Sequence, residues 1–273
     1  MPSRRNFLKQ SATLAPALSL ATVITPSKTR ADEADFISLF DGKSLAGWHK
    51  NPEKIWHGTG GNWQVEDGAI TGEQDPPASG NGGILLTDRT FGDFELLLEI
   101  NPDFGIDSGL FLRATDKGEG FQVMVDYLEG GVVGQIYGEN IGGFGAASLR
   151  LRGTTDAAGK LTRLGAEANP NILENPMTYA ISPENWLKAW QINDWNRIRV
   201  VCVGDYPVIK VWINDALVTD FNAATFVHAR YDREETKAKL GRAGSIAIQV
   251  HGGADRWATG AKNRWRNIRI RPL

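Results

Sequence analysis

Short apolar runs of four to eight residues, each closed by turn residues, constrain this chain more than any other feature. Residues 63–71 hold two such runs around Asp67-Gly68, a dipeptide suited to a two-residue hairpin turn. Further runs follow at 83–86, 94–100, 109–113, 121–126 and 133–137. They resume at 196–203, 208–213, 216–221, 245–251 and 265–270, with Asn214-Asp215 as another turn. No long stretch has the three-to-four-residue spacing of an amphipathic helix. The pattern predicts an all-β chain folded as a two-sheet sandwich or jelly roll, with successive strands pairing antiparallel.

Between residues 146 and 194 the alternation lapses into Gly, Asn, Pro and mixed charges. That is too long for a hairpin connection and predicts a mostly irregular insertion, with a lid as one use for it. Inside it, Ser182 at the N-cap position and Pro183 at the first helical position predict one short helix. Residues 228–243, rich in Arg, Lys and Glu, read as a second polar insertion or short helix.

The N-terminus has its own logic. Ser3-Arg4-Arg5-Asn6-Phe7-Leu8-Lys9 precedes an Ala-rich apolar stretch, and Thr29-Arg30-Ala31 offers a small-residue cleavage site. This is the pattern of a twin-arginine signal peptide over residues 1–31, leaving one domain over 32–273 and predicting a periplasmic or secreted product. Residues 1–31 hold five basic side chains and no acidic one, so the remainder carries 25 basic against 32 acidic residues, a net charge of −7. An acidic chain is a poor phosphate binder, which argues against nucleic acid as a partner. No later apolar stretch has the roughly 20 residues a membrane-spanning helix needs, so no transmembrane anchor is expected in the mature chain. The single cysteine, Cys202, lies in an apolar run and predicts a buried strand residue rather than a disulfide or a nucleophile.

Alternation also sorts the polar residues. In 94–100, Phe94, Leu96, Leu98 and Ile100 face one side while Glu95, Leu97 and Glu99 face the other. By the same rule Asp107 and Arg113 oppose the core-facing Ser108, Leu110 and Leu112, and Gln122 and Asp126 fall on the outer side of their strand. Gln249 and His251 do so on theirs, with Tyr137 close by. A polar sheet face with one imidazole at a strand end, next to Gly252-Gly253, is the expected site, the glycines allowing close approach of a ligand. The bland counterpart is a solvated sheet surface with scattered charges.

The order of short motifs then resembles a known family. Phe40-Asp41-Gly42-Lys43-Ser44-Leu45-Ala46-Gly47-Trp48 is followed by Gly92-Asp93-Phe94-Glu95-Leu96, Asp107-Ser108-Gly109-Leu110-Phe111-Leu112-Arg113 and Ile136-Tyr137-Gly138. Asp194-Trp195-Asn196, Val211-Trp212-Ile213-Asn214, Ile248-Gln249-Val250-His251-Gly252 and Trp265-Arg266-Asn267-Ile268-Arg269-Ile270 complete the set. Residues 36–273 resemble the 3-keto-disaccharide hydrolase family, formerly a domain of unknown function. That resemblance implies the concanavalin A-like lectin/glucanase jelly roll. The chain departs from the family pattern at Asp107, where Asn is common, and at Gln122 and Met124, where Glu and Gln are common.

The implied substrate is a glycoside already oxidised at C3. The ketone acidifies the C2 proton, so a base can remove it, the aglycone leaves C1 by elimination, and water adds back. On this chemistry His251 is the expected base, assisted by Glu99 or Glu95. Asp107, Gln122, Asp126, Tyr137 and Gln249 are expected to contact the sugar, with Arg113 near the developing oxyanion. A divalent metal stays open, because His251 with Glu95, Glu99, Asp107 or Asp126 supplies suitable ligand types without any local metal-binding spacing. An upstream sugar 3-dehydrogenase is the implied partner. Two alternatives stand beside this: a lectin-like carbohydrate-binding module without catalysis, and an ordinary glucanase using Glu95 and Glu99. The second is strained, since residues i and i+4 of a strand lie roughly 13 Å apart, whereas a retaining carboxyl pair needs roughly 5 Å.

Overall fold

The computed structural model describes residues 35–53, 56–171 and 177–273. The twin-arginine segment lies outside the described residues. In chain order the strands are β1 (Ile37–Ser38), β2 (Trp48–Lys50), β3 (Asn62–Glu66), β4 (Ala69–Glu73), β5 (Gly83–Phe91) and β6 (Phe94–Ile100). Then come β7 (Gly109–Ala114), β8 (Gly120–Val125), β9 (Val133–Glu139), β10 (Gly145–Ala146), β11 (Leu149–Thr155) and β12 (Leu161–Ala168). The last third holds β13 (Tyr179–Ala180), α1 (Pro183–Ala189), β14 (Asn196–Val203), β15 (Val208–Ile213), β16 (Ala216–Asn222), α2 (Arg233–Leu240), β17 (Gly244–Val250) and β18 (Asn263–Pro272).

Two large sheets result. One has nine strands in the order β13-β16-β15-β14-β6-β18-β4-β3, with β1 also paired to β18. The other has seven, β10-β9-β8-β7-β17-β5-β2, and the neighbours in both pair antiparallel. This is the two-sheet jelly-roll sandwich that the strand pattern predicts. The turns that permit it are where their residues place them: Asp67 and Gly68 have φ of 49° and 75°, and Asn214 and Asp215 have 46° and 74°. Positive φ at both central positions gives the twist that matches flanking strands.

The core lies between the sheets. Phe94, Leu96, Leu98 and Ile100 of β6 enter it with Ile198, Val200 and Cys202 of β14, while Leu110, Leu112, Val123, Ile136 and Ile248 enter from the seven-stranded sheet. Burial pushes the Cys202 thiol up to about 12, so it stays a protonated core residue. A smaller apolar cluster of Ile84, Leu86, Phe111, Ala114 and Ala247 sits apart from this core.

Within 146–194, α1 begins as expected, the Ser182 side chain accepting from the Asn185 amide and Pro183 opening the helix. Around it the irregular segments frame a two-stranded ribbon, β11 with β12, that the sequence pattern hides. The reason is burial: β12 is mostly exposed beyond Leu161, so nothing enforces a period of two along it. The basic and acidic tract at 228–243 forms α2, capped by Asp232.

The helix α1 is tied to the seven-stranded sheet by one side chain. Trp186, fully buried, donates its indole N–H to the Val133 carbonyl at 2.9 Å and stacks on Trp190, whose own indole donates to the Tyr127 hydroxyl at 3.0 Å. Replacing Trp186 with Ala is expected to cost ~3–5 kcal/mol of unfolding free energy, the range for losing a buried aromatic. Urea titration checks it, and a loss under ~1 kcal/mol would show the helix to be only loosely docked.

Candidate functional site

Register across the seven-stranded sheet brings polar residues into one row. Tyr137 on β9 faces Gln122 on β8, which faces Phe111 on β7. Their side chains occupy the face turned away from the core. Gln122, Met124, Asp126, Tyr137 and Glu139 line an open cleft of about 240 Å³ together with Trp56, His57, Asp107, His251 and Arg256.

His251 follows the end of β17, and its ring has a defined tautomer. Nδ1 contacts the Gly252 carbonyl, which can only accept, so Nδ1 carries the hydrogen and the lone pair of the neutral ring is on Nε2. Burial holds the imidazole below its ordinary pKa, with the nearby Asp107 charge opposing that and His57 adding to it. Nε2 lies 3.8 Å from Asp107 Oδ2. Asp107 is a hub: its carboxylate is ion-paired to Arg256, its backbone N–H donates to the Arg256 carbonyl at 3.0 Å, and its carbonyl accepts from the His251 amide at 3.3 Å.

Asp126 stands beside Asp107. Its Oδ1 is buried and makes no hydrogen bond among the described residues. Burial and then the Asp107 charge push its carboxyl well above the usual carboxylate range. Tyr137, also lining the cleft, is pushed up by burial and by Glu139.

A second imidazole meets the first. His57 is 3% exposed, its ring centroid lies 4.3 Å from that of His251 in an edge-on arrangement, and Nε2 is 3.3 Å from Glu139 Oε2. The contact depends on Gly252, because a Cβ there would stand 2.8 Å from both Cα and the carbonyl oxygen of His57. The glycine next to His251 thus admits a neighbouring loop, where sequence pattern had suggested a ligand. Asn51 fixes that loop, donating to Gly58 O at 3.0 Å and accepting from Ile84 N at 2.9 Å. Gln74 clamps the other side, donating to the His251 and Gly253 carbonyls at 2.9 and 2.8 Å.

Several expected site residues stand elsewhere. Glu95 and Glu99 face outward from the nine-stranded sheet, away from His251. Glu95 bonds Arg199 at 2.6 Å and also pairs with Arg271, and Glu99 bonds Arg266 at 2.7 Å. Burial pushes the Glu95 carboxyl up, but the hydrogen bonds from Arg199 and Arg271 outweigh it and hold it below the usual range. Arg113 is also outside the cleft: it donates to the Gly92 and Gly204 carbonyls at 2.8 Å each and to Asp93 at 2.6 Å. It stitches loops together. Gln249 is fully buried behind Gln122, whose amide donates to it at 2.9 Å, and it does not line the cleft. Gly109 makes room for that bond, since a Cβ would fall 1.8 Å from Gln122 Nε2.

His251, Asp107, Asp126, Gln122 and Tyr137 are therefore the expected residues that the fold brings together. Trp56, His57, Glu139 and Arg256 join them unannounced. Glu139 was signalled by its position two residues after Tyr137 on one strand, hence on the same face. The other three sit on loops, where no period marks them. Among the described residues, no group of three or more His, Cys, Asp or Glu side chains is arranged to hold a metal ion. The set expected for a divalent metal is split between two sheets, and the Asp107 carboxylate already faces a guanidinium.

Residues 35–271 match the family model described as a 3-keto-alpha-glucoside-1,2-lyase-like domain. No curated protein matches the chain. Two solved structures from Parabacteroides distasonis, both described only provisionally as glycosyl hydrolases, are similar to it. One is 20% identical over 87% of this chain and 99% of that one, with a TM-score of 0.50. The other is 16% identical over 90% and 97%, with a TM-score of 0.49. The carbohydrate-binding module CBM66 of Bacillus subtilis is 13% identical over 82% and 95%, with a TM-score of 0.41. At such identities the likeness is one of fold.

The Asp126 carboxyl binds its proton more readily in the folded chain than in the unfolded one. Its contribution to stability is therefore complete below pH ~4 and is lost as the pH rises through its folded pKa. Asp126→Asn removes that dependence. The melting temperature of the variant relative to wild type is expected to climb between pH 4 and pH 8, by roughly 2–4 °C for each ~1 kcal/mol in a domain of this size. A difference that stays flat across this range, followed by calorimetry, would contradict the assignment of a raised carboxyl.

Proposed function

This chain belongs to the 3-keto-alpha-glucoside-1,2-lyase-like family, and on that premise we propose that it cleaves glycosides already oxidised at C3. The observation that carries this is the His251 ring, held below its ordinary pKa by burial, with Nδ1 against the Gly252 carbonyl and Nε2 left to act as a base, in the lining of a polar cleft.

A C3 ketone makes the C2 hydrogen acidic. His251 Nε2 takes that proton, and the electron pair moves onto the C3 oxygen as an enolate. Asp107, 3.8 Å from Nε2, balances the imidazolium that forms. The enolate collapses, the C1–O bond to the aglycone breaks, and water then adds across C1 and C2 to leave the free 3-keto sugar. Arg256 supplies a positive charge for the transient oxyanion, and the Asp126 carboxyl, held toward its neutral form, can donate a hydrogen bond to it. Trp56, 74% exposed at the cleft, offers a flat face for a sugar ring.

The twin-arginine motif supports action outside the inner membrane, and among the described residues no helix is long and apolar enough to cross one. A sugar 3-dehydrogenase acting upstream would install the ketone. The glucanase alternative loses its residues, since Glu95 and Glu99 face away from the cleft and are paired to arginines.

Incubation with 3-keto and unoxidised disaccharides in deuterated water tests the proposal. Only the ketone forms are expected to be cleaved, with deuterium entering C2. His251→Ala is expected to lower turnover at least ~10²-fold, whereas Glu99→Gln leaves it within ~2-fold, in line with a surface change. Equal cleavage of unoxidised sugars would sink the C2 chemistry, and binding without cleavage would leave a lectin-like module. Trp56→Ala is expected to raise KM ~5–150-fold with little change in kcat, as the loss of ~1–3 kcal/mol of ring stacking would do.

A further inference from the structure

Cleavage by C2 deprotonation leaves one proton unaccounted for: the aglycone oxygen departs as an alkoxide unless something protonates it. His251 is occupied with the C2 hydrogen. We propose that His57, backed by Glu139, is the second acid–base group of the cleft, protonating the departing aglycone oxygen and then deprotonating the water that adds. This role rests on the C2-deprotonation chemistry above.

Three observations carry it. His57 lines the cleft while 3% exposed, and neither ring nitrogen makes a hydrogen bond among the described residues. Leaving a buried polar group unpaired costs ~1–3 kcal/mol, so the two buried His57 nitrogens, on a residue that lines the cleft, hold bonding capacity that the fold leaves unused. Glu139 is itself buried and places Oε2 3.3 Å from Nε2, where a carboxylate counter-ion to an imidazolium belongs. Finally, the 4.3 Å separation from His251 makes two simultaneous imidazolium charges costly.

That last constraint fits a proton cycle in which one ring is charged at every stage. At the start His57 is protonated and His251 neutral. His251 takes the C2 proton, the C2–H pair moves through the enolate into a C1=C2 bond, the C1–O bond breaks, and the aglycone oxygen receives the His57 proton. Now His251 is charged and His57 neutral. Water attacks C1 and gives its proton to His57, the electrons pass through the C3 enolate, and His251 returns its proton to C2. Both rings are reset and no other acid, base or oxidant is consumed.

Leaving-group dependence tests the role. The full-length protein is given 3-keto glucosides bearing either a nitrophenoxide, which departs without help, or a simple alkoxide, which does not. His57→Ala is expected to slow alkyl-glycoside cleavage at least ~10²-fold and to raise the aryl-to-alkyl rate ratio at least tenfold, while C2 deuterium exchange continues. His57→Gln, which fills the same space without an acidic proton, is expected to repeat this pattern and serves if the Ala variant does not fold. Glu139→Gln is expected to shift the ratio in the same direction. Equal slowing of both aglycones together with loss of C2 exchange, or no slowing of either, overturns the assignment of His57. If wild type exchanges no C2 hydrogen on either substrate, the C2 chemistry itself fails and this role with it. If wild type exchanges but the variants leave the ratio unchanged, only the role of His57 falls.

Discussion

Every central strand of this protein must give one face to the core shared by the two sheets. Water exclusion from that core drives the pairing of the sheets, and alternation leaves each strand only its other face for chemistry. The seven-stranded sheet and its neighbouring loops use that free face for a cleft, whereas the nine-stranded sheet covers its own with ion pairs. Glu95 between Arg199 and Arg271, and Glu99 against Arg266, are the centre of that second surface. Aromatic rings extend it, with Arg199 over Trp212 at 4.2 Å and Arg266 over Trp195 at 3.9 Å. Cations stacked on rings and paired with carboxylates shield strand backbones without offering an unpaired group for catalysis.

The cleft shows the opposite electrostatic arrangement. Asp107 and Asp126 are close enough for the charge of one to oppose ionisation of the other, and Arg256 compensates directly. Like-charged groups in a place of low polarity separate in proton affinity, which lets one act as an anion and the other as an acid. The two imidazoles also adjoin one another. Their edge-on contact makes two positive charges at once costly, and each has its own carboxylate within 4 Å, Asp107 for His251 and Glu139 for His57.

Backbone room makes these contacts possible. At Gly252 a side chain would push away the loop that brings His57, and at Gly109 it would evict the Gln122 amide from its bond to Gln249. Gln249 and Arg113 illustrate a related point: both are polar residues on strands that line the site, yet both are consumed by holding neighbours in place. A buried polar group must find partners inside the protein, and once it has them it is not free for a substrate.

The sequence by itself determined the main strands of the two sheets, the Asp67-Gly68 and Asn214-Asp215 turns, the helix behind Ser182 and the burial of Cys202, because each follows from local periodicity or from φ preferences. It also pointed to His251, Asp107, Asp126 and Gln122, whose alternation marks them as facing away from the core, with Tyr137 close by. Alternation distinguishes inside from outside but carries no label for which sheet a strand joins. Glu95 and Glu99 therefore looked equivalent to Asp126 until β6 paired with β14 and β18 instead of β7 or β8. Only the tertiary structure decided that, and only loop packing against Gly252 brought Trp56 and His57 to the cleft. Such long-range juxtapositions depend on which surfaces fit together, and no short stretch of chain contains that information.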